Sequence, residues 1–329
     1  MDVILLPSNR PADRFYRGGP KITAFRGEPS GTNREPEDWV GSTTSLFGDS
    51  SLGITVLPDG TALPAAIQAQ PAAWLGDTHR ARYGVDTRLL VKLLDAGQRL
   101  PVHAHPHTSF AAGHLGRSHG KAEAWYIIDG GEVHLGLTRN VDLDELQSLV
   151  DGQEVEALLG LLHRVEVHRG DIVYVPPGVL HAIGAGVFLV EVQEPEDMSI
   201  LLEWRGFELD GSRDGHLGVG FDLALQALER TARTVDQIRE LTKPAGFGRS
   251  VLPDAADQYF RLQHVALDGE MTLESGFAVM VTLNGEATCV NGESVVLQAG
   301  STALVPHSAG PLTLRGRCEL LVCRPPRPE

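Results

Sequence analysis

Apolar positions along this chain follow two rhythms, short runs of β type and a few stretches of helical type. Leu89 to Leu94 reads Leu-Leu-Val-Lys-Leu-Leu, a continuous apolar run holding one Lys and closed by Asp95-Ala96-Gly97. It predicts a buried strand. Ala124 to Ile128 is aromatic and β-branched, Gly130-Gly131 turns it, and Glu132 to Leu137 is the return strand. From Asp142 to Leu162 the rhythm changes: Leu143, Leu146, Leu149, then Val155, Leu158, Leu159 and Leu162 recur at three- and four-residue steps. That spacing predicts a helical excursion, interrupted at Asp151-Gly152. Strands are expected again at Arg164–Val167, Ile172–Val175, Ala182–Ile183 and Val187–Gln193. Phe221, Leu225, Leu228, Val235, Ile238 and Leu241 share one helical face, which predicts a helix from Phe221 to Leu241, stopped by Pro244.

The flanks are less regular. Residues 1–85 are rich in Gly and Pro and predict irregular structure with a few strands. Gly246–Ala256 reads as a linker. From Tyr259 onward, short β-rich runs separated by turn signals such as Asn284-Gly285 and Asn291-Gly292 predict a second, all-β unit. The expected division is therefore residues 1–245, carrying helical insertions, and residues 246–329. The run Gly170-Asp171-Ile172-Val173-Tyr174-Val175-Pro176 parallels Gly300-Ser301-Thr302-Ala303-Leu304-Val305-Pro306, so the two units read as distant repeats.

Composition narrows the class. The chain has 329 residues, a formal net charge of −15 and 42% hydrophobic residues, which fits a globular protein with a sizeable core. The negative field disfavours nucleic acid and anionic membranes. No segment approaches the ~20 apolar residues of a membrane span, and Met-Asp-Val-Ile-Leu-Leu-Pro lacks a basic leader region, so the expected location is the cytoplasm. The three cysteines, Cys289, Cys318 and Cys323, are an odd number far from the histidines, arguing against a disulfide framework or a Cys-bound metal.

One cluster carries the chemistry. In an extended segment, side chains at i and i+2 share a face, so His103 and His105 converge. Glu123 opens the next strand, and Pro176-Pro177-Gly178 turns the chain to present His181. Three imidazoles and a carboxylate are the donors for one divalent ion, zinc, iron or manganese rather than calcium. Lys121, two residues before Glu123, is expected on the same interior face, where a metal would depress its ammonium pKa. Lys92 is unusual inside an apolar strand and is expected to line the same pocket.

The spacing is Gly97, five residues, His103-x-His105; Glu123, six residues, Gly130; then Gly170, five residues, Pro176-x-Gly178-x-x-His181. This resembles the two-part motif of the cupin superfamily. It implies a mainly β fold of two cupin domains, jelly-roll-like antiparallel barrels, with helical insertions. Three longer runs, 89–96 with His103-Ala104-His105-Pro106, 120–128 and 170–184, resemble class I mannose-6-phosphate isomerases. The resemblance implies aldose–ketose isomerisation of mannose 6-phosphate, fructose 6-phosphate or a related sugar or sugar phosphate by enediol proton transfer beside one zinc ion. His105, Glu123 and His181 match family ligands, His103 stands where the family has Gln, and Lys121 and Lys92 match active-site lysines. Leu201 stands where the family has an arginine; Arg205 lies too far along the strand to be expected in its place. Two other readings remain open at this point: a metal cupin of another class, such as a dioxygenase, and a sugar-binding or sensing cupin without turnover.

Overall fold

In the computed structural model, residues 1–329 are described except Ser30, Arg249, Gly292 and Glu329. The N-terminal segment holds β1 (Ile4–Leu6) and β2 (Glu37–Val40). The expected first β unit follows as β3 (Leu90–Asp95), β4 (His103–Ala104), β5 (Glu123–Asp129) and β6 (Gly131–Leu137). Two helices, Leu143–Gly152 and Val155–Gly160, come next. Then come β7 (Leu162–Val167), β8 (Asp171–Val175), β9 (His181–Ile183), β10 (Phe188–Gln193), β11 (Ile200–Leu201) and β12 (Thr242–Pro244). The C-terminal part holds β13 (Arg261–Leu273), β14 (Ala278–Asn291), β15 (Glu293–Gln298), β16 (Thr302–Val305) and β17 (Leu312–Arg324).

The protein is mainly β and its ladders are antiparallel. One sheet runs β12-β8-β5-β10-β3-β2 and a second runs β11-β4-β9-β6-β7. The core residues of the first sheet include Leu93, Ile127, Val173 and Leu189, all buried. Trp39, Lys92, Glu191, Trp125 and Val173 pair in register across five neighbouring strands. Because side chains alternate across a strand, these residues stand on one face. The adjoining row on that face is Leu90, Gln193, Glu123 and Val175. Polar side chains are thus collected on the inner face of an otherwise apolar sheet. The third sheet joins β13, β14, β15, β16 and β17 with β1, whose Ile4, Leu5 and Leu6 pair with Leu304, Ala303 and Thr302.

The elements read from periodicity in residues 89–193 form where expected. The helical excursion breaks between Gly152 and Val155, with Asp142 capping its first helix by accepting from the Glu145 N–H. Five expectations are corrected. Gly130-Gly131, expected to close a hairpin, instead passes the chain between sheets: β5 pairs with β8 and β10, and its expected return strand β6 pairs with β7 and β9. The helix expected over Phe221–Leu241 is two short pieces, Phe221–Ala224 with a 3₁₀ turn to Ala227, and Val235–Leu241. Between them the backbone bonds outward: Glu229 N–H to Gly178 O, Arg233 N–H to Leu137 O, and Arg230 O to Val141 N–H. Thr234 and Gln237 then form a capping box that starts the second piece. The irregular N-terminal segment also contains four helices, Lys21–Arg26, Leu63–Ala69, Pro71–Leu75 and Asp77–Tyr83. Asn284-Gly285 is a bulge inside the 14-residue β14, where the pairing register shifts and Gly285 takes φ +72°, and not a hairpin turn. The linker expected at Gly246–Ala256 is packed, with Val251 and Leu252 buried. Gly292, in the turn expected at Asn291-Gly292, lies outside the described residues, as does Arg249 of the linker. Cys289, Cys318 and Cys323 are buried free thiols.

Candidate metal centre

The site lies between the two sheets of the first unit. His103 on β4 pairs in register with His181 on β9, which sets their rings 4.1 Å apart. His105, just beyond β4, completes the group, with its ring 5.0 Å from that of His103 and 4.9 Å from that of His181. One ligand atom from each of the three lies within 4.8 Å of the others, and all three rings are buried. Glu123 reaches the cluster from the opposite sheet. Its Oε2 is 2.9 Å from His105 Nε2 and its Oε1 is 3.2 Å from His181 Nε2. The indole N–H of Trp125, two residues on, donates to Glu123 Oε1 at 3.1 Å and fixes the carboxylate.

Each imidazole is oriented from behind. Nδ1 of His103, His105 and His181 faces the carbonyl oxygen of Pro101, Met198 and Val179, at 2.8, 2.7 and 2.8 Å. A carbonyl only accepts, so every Nδ1 carries the hydrogen. Burial pushes His103 well below its ordinary value and, with the Lys121 charge, takes His105 down to about 3. Both rings are therefore neutral near pH 7, and Nε2 is a lone pair facing inward. The Nε2 atoms then confront the Glu123 oxygens in a buried space: Lys121 Nζ reaches His105 Nε2 and Glu123 Oε2, but His181 Nε2 has no hydrogen-bond partner. A buried nitrogen left without a partner beside a carboxylate is costly. A divalent cation at this point resolves the conflict, and three imidazoles plus a carboxylate suit one. The residues present fit a metal.

Lys121 adjoins the cluster. Its Nζ is 3.1 Å from His105 Nε2, 2.8 Å from Glu123 Oε2 and 3.5 Å from Glu191 Oε1. Burial pushes the ammonium down, but the charges of Glu123 and then Glu191 outweigh it, and the net direction is up. Burial and the neighbouring Glu123 charge push Glu191 up to about 8, against the opposing pull of Lys121. Lys92 lines the same cavity, with Nζ 3.5 Å from both Glu37 Oε2 and Asp197 Oδ1 and 4.5 Å from the centre of the Trp39 ring.

The cavity has two compartments. The inner one, of about 40 Å³, is bounded by His103, Lys121, Glu123, Glu191 and Lys92. An outer one of about 190 Å³ shares Arg14, Phe15, Asp197, Ser199 and Leu201 with it and adds Phe47, Leu209 and Leu217. Leu201 pairs in register with His103, so it does stand beside the histidine cluster. Arg205 does not: its guanidinium bonds the Gly152 carbonyl at the surface. Elsewhere in the protein, Arg34 pairs with Glu208, Arg117 with Glu196 and Arg213 with Asp214. Sequence reasoning missed Arg14, Glu37 and Asp197. Glu37 and Trp39 carry an i, i+2 signal, but nothing local announces that they cover Lys92.

Similarity to known proteins accords with this geometry. The family model for the cupin domain of mannose-6-phosphate isomerase matches residues 254–325. Mannose-6-phosphate isomerase ManA of Bacillus subtilis (strain 168) is 31% identical over 244 residues, 71% of this chain and 74% of that protein. The crystal structure of the mannose 6-phosphate isomerase from Bacillus subtilis superposes with a TM-score of 0.75 at 22% identity, covering 98% of this chain and 100% of that one. A crystal structure of mannose 6-phosphate isomerase bound with zinc and yttrium gives 0.75 at 15% identity, covering 99% and 100%.

Proposed function

The chain belongs to the mannose-6-phosphate isomerase family, and from that premise we propose that it is a metal-dependent aldose–ketose isomerase acting on a hexose or hexose phosphate. Mannose 6-phosphate and fructose 6-phosphate are the first pair to test. The observation that carries this reading is the buried meeting of inward-facing imidazole nitrogens with the Glu123 carboxylate, beside an ammonium. His103, His105, Glu123 and His181 would hold one divalent ion, with zinc preferred over iron or manganese. A bound zinc supplies Lewis-acid stabilisation of negative charge developing on a substrate oxygen.

The chain's own groups handle the protons. Isomerisation takes a proton from the carbon beside the carbonyl, returns one to the former carbonyl carbon, and moves a hydroxyl proton between the two oxygens. Lys121 Nζ and Glu191 Oε1, 3.5 Å apart, form an acid–base pair. The carboxylate takes the carbon-bound proton while the ammonium offers one to the carbonyl oxygen. Lys92, held by Glu37 and Asp197, keeps a positive charge in the wall of the cavity. Buried walls exclude bulk water and strengthen these interactions. Within this reading, residues 1–245 form the metal-bearing unit and 246–329 a cupin-like unit without ligands. The test is a coupled assay over hexose phosphates and free hexoses, with metal content measured on the same preparation. Turnover requiring zinc supports the proposal; oxygen consumption with redox-active iron overturns it in favour of a dioxygenase.

A further inference from the structure

Arg14 is the one arginine among the described residues that lines both compartments of the cavity. It comes from the irregular N-terminal segment, and its side chain is only 10% exposed. One edge of its guanidinium is occupied. Nε and Nη2 each donate to Glu37 Oε1 at 3.3 Å, and Nη2 lies 3.6 Å from Asp197 Oδ1. Glu37 is itself fixed, accepting from the Tyr16 hydroxyl and from the Trp39 indole N–H. The guanidinium is thus clamped from behind by residues with no freedom to follow it. Its other end, Nη1, makes no hydrogen bond or ion pair to the protein among the described residues, and it is not one of the sealed polar atoms. A rigidly held, unused pair of N–H donors at a cavity wall is a binding group for an oxygen acceptor.

Size places the substrate against it. The inner compartment, about 40 Å³, is on the order of one or two waters. A six-carbon sugar whose reacting end sits among Lys121, Glu123 and Glu191 must extend into the outer compartment. The junction it crosses is walled by Arg14, Leu201 and Ser199. Leu201 has no donor and Ser199 has one hydroxyl, so Arg14 is the charged donor on the path.

We propose that Arg14 is a substrate-contacting residue whose Nη1 donates to an oxygen of the sugar chain as it leaves the inner compartment. The inference rests on this cavity being the sugar site. The test uses the metal-loaded protein with Arg14→Lys, which keeps a charge for Glu37 and Asp197 but loses the fork geometry. The expected result is a loss of about tenfold or more in kcat/KM, and equally weakened binding of a hexitol 6-phosphate, with Tm and metal content unchanged. Values within about twofold of wild type in both readouts overturn the proposal. If Arg14→Lys loses metal or Tm, Arg14→Ala is assayed with added methylguanidinium: restored turnover supports the contact and absence of rescue overturns it. If the wild type turns over no hexose or hexose phosphate, the isomerase reading falls, and the polyol phosphate affinity alone decides the role of Arg14.

Discussion

At the scale of single residues, the site is a set of groups that satisfy one another only with a cation present. Three carbonyl oxygens face the imidazole Nδ1 atoms from outside, which turns three Nε2 atoms inward beside a carboxylate. Changing His105, Glu123 or His181 to Ala is therefore expected to abolish metal retention and turnover together, measured by metal analysis after dialysis and by isomerase assay. A variant that keeps full zinc occupancy contradicts the ligand assignment. Lys121→Ala removes the ammonium without removing a ligand. It should keep its metal and lose roughly 10²–10⁴-fold in kcat; a wild-type rate would exclude it from proton transfer. The histidine pair and Glu123 were legible because β alternation is local and period two. Lys92 was legible by its oddity in an apolar run. Arg14 and Asp197 were not, because their partnership depends on a fold that brings the irregular start of the chain onto the cavity.

At the scale of elements, the ligand strands are aimed by their connections. The turn before β9 hangs on Gly178, whose N–H donates to His105 O at 2.6 Å and whose carbonyl accepts from Glu229 N–H at 2.8 Å. One residue thus ties two ligand-bearing segments and the break between the helices of 221–241. Its φ is +85°, and an added Cβ would lie 3.1 Å from His107 Nε2 and 3.2 Å from Ala227 O. Gly178→Ala should cost about 1–2 kcal/mol in unfolding free energy and weaken metal binding, as read by denaturant titration and by competition with a chelator. Unchanged metal affinity would show that the turn does not set the ligand geometry. The same connection explains the misread helix. The apolar spacing over 221–241 is real, since Leu225, Ile238 and Leu241 are buried, but the stretch between the two pieces gives its backbone bonds to Leu137, Val141 and Gly178. Periodicity registers burial and cannot register which partner a backbone N–H finds.

At the scale of the whole molecule, an ion held by the histidine cluster would be coupled to the fold. Any ion that binds the folded chain alone stabilises it by mass action, by about 4 kcal/mol at a thousandfold excess over Kd. Removing it with a chelator should lower Tm by several degrees and restoring zinc should recover the loss, followed by calorimetry; an unchanged Tm would mean that the cluster holds no tightly bound ion. The fold class and the positions of the strands in residues 89–193 could be read from the chain because apolar runs bounded by turn residues mark a strand locally, even where it pairs far along the chain, as β4 does with β9. The N-terminal segment was opaque in its pairing. Its β1 pairs with β16, and Arg26 bonds Leu6 O, Gly300 O and Thr302 Oγ1.

That long-range pairing sets a schedule. A chain emerges from the ribosome from its N-terminus at about 5–20 residues per second, so Ile4–Leu6 are made about 300 residues before their partner Thr302–Leu304. The β1 edge stays unpaired for tens of seconds of synthesis, and the segment that delivers Arg14 lacks its far anchor for the same interval. The strands that carry the histidines and Glu123 can close first, into a pocket whose metal ligands precede its complete wall. Maturation of this protein is thus expected to run from the histidine cluster outward, with β16 locking β1.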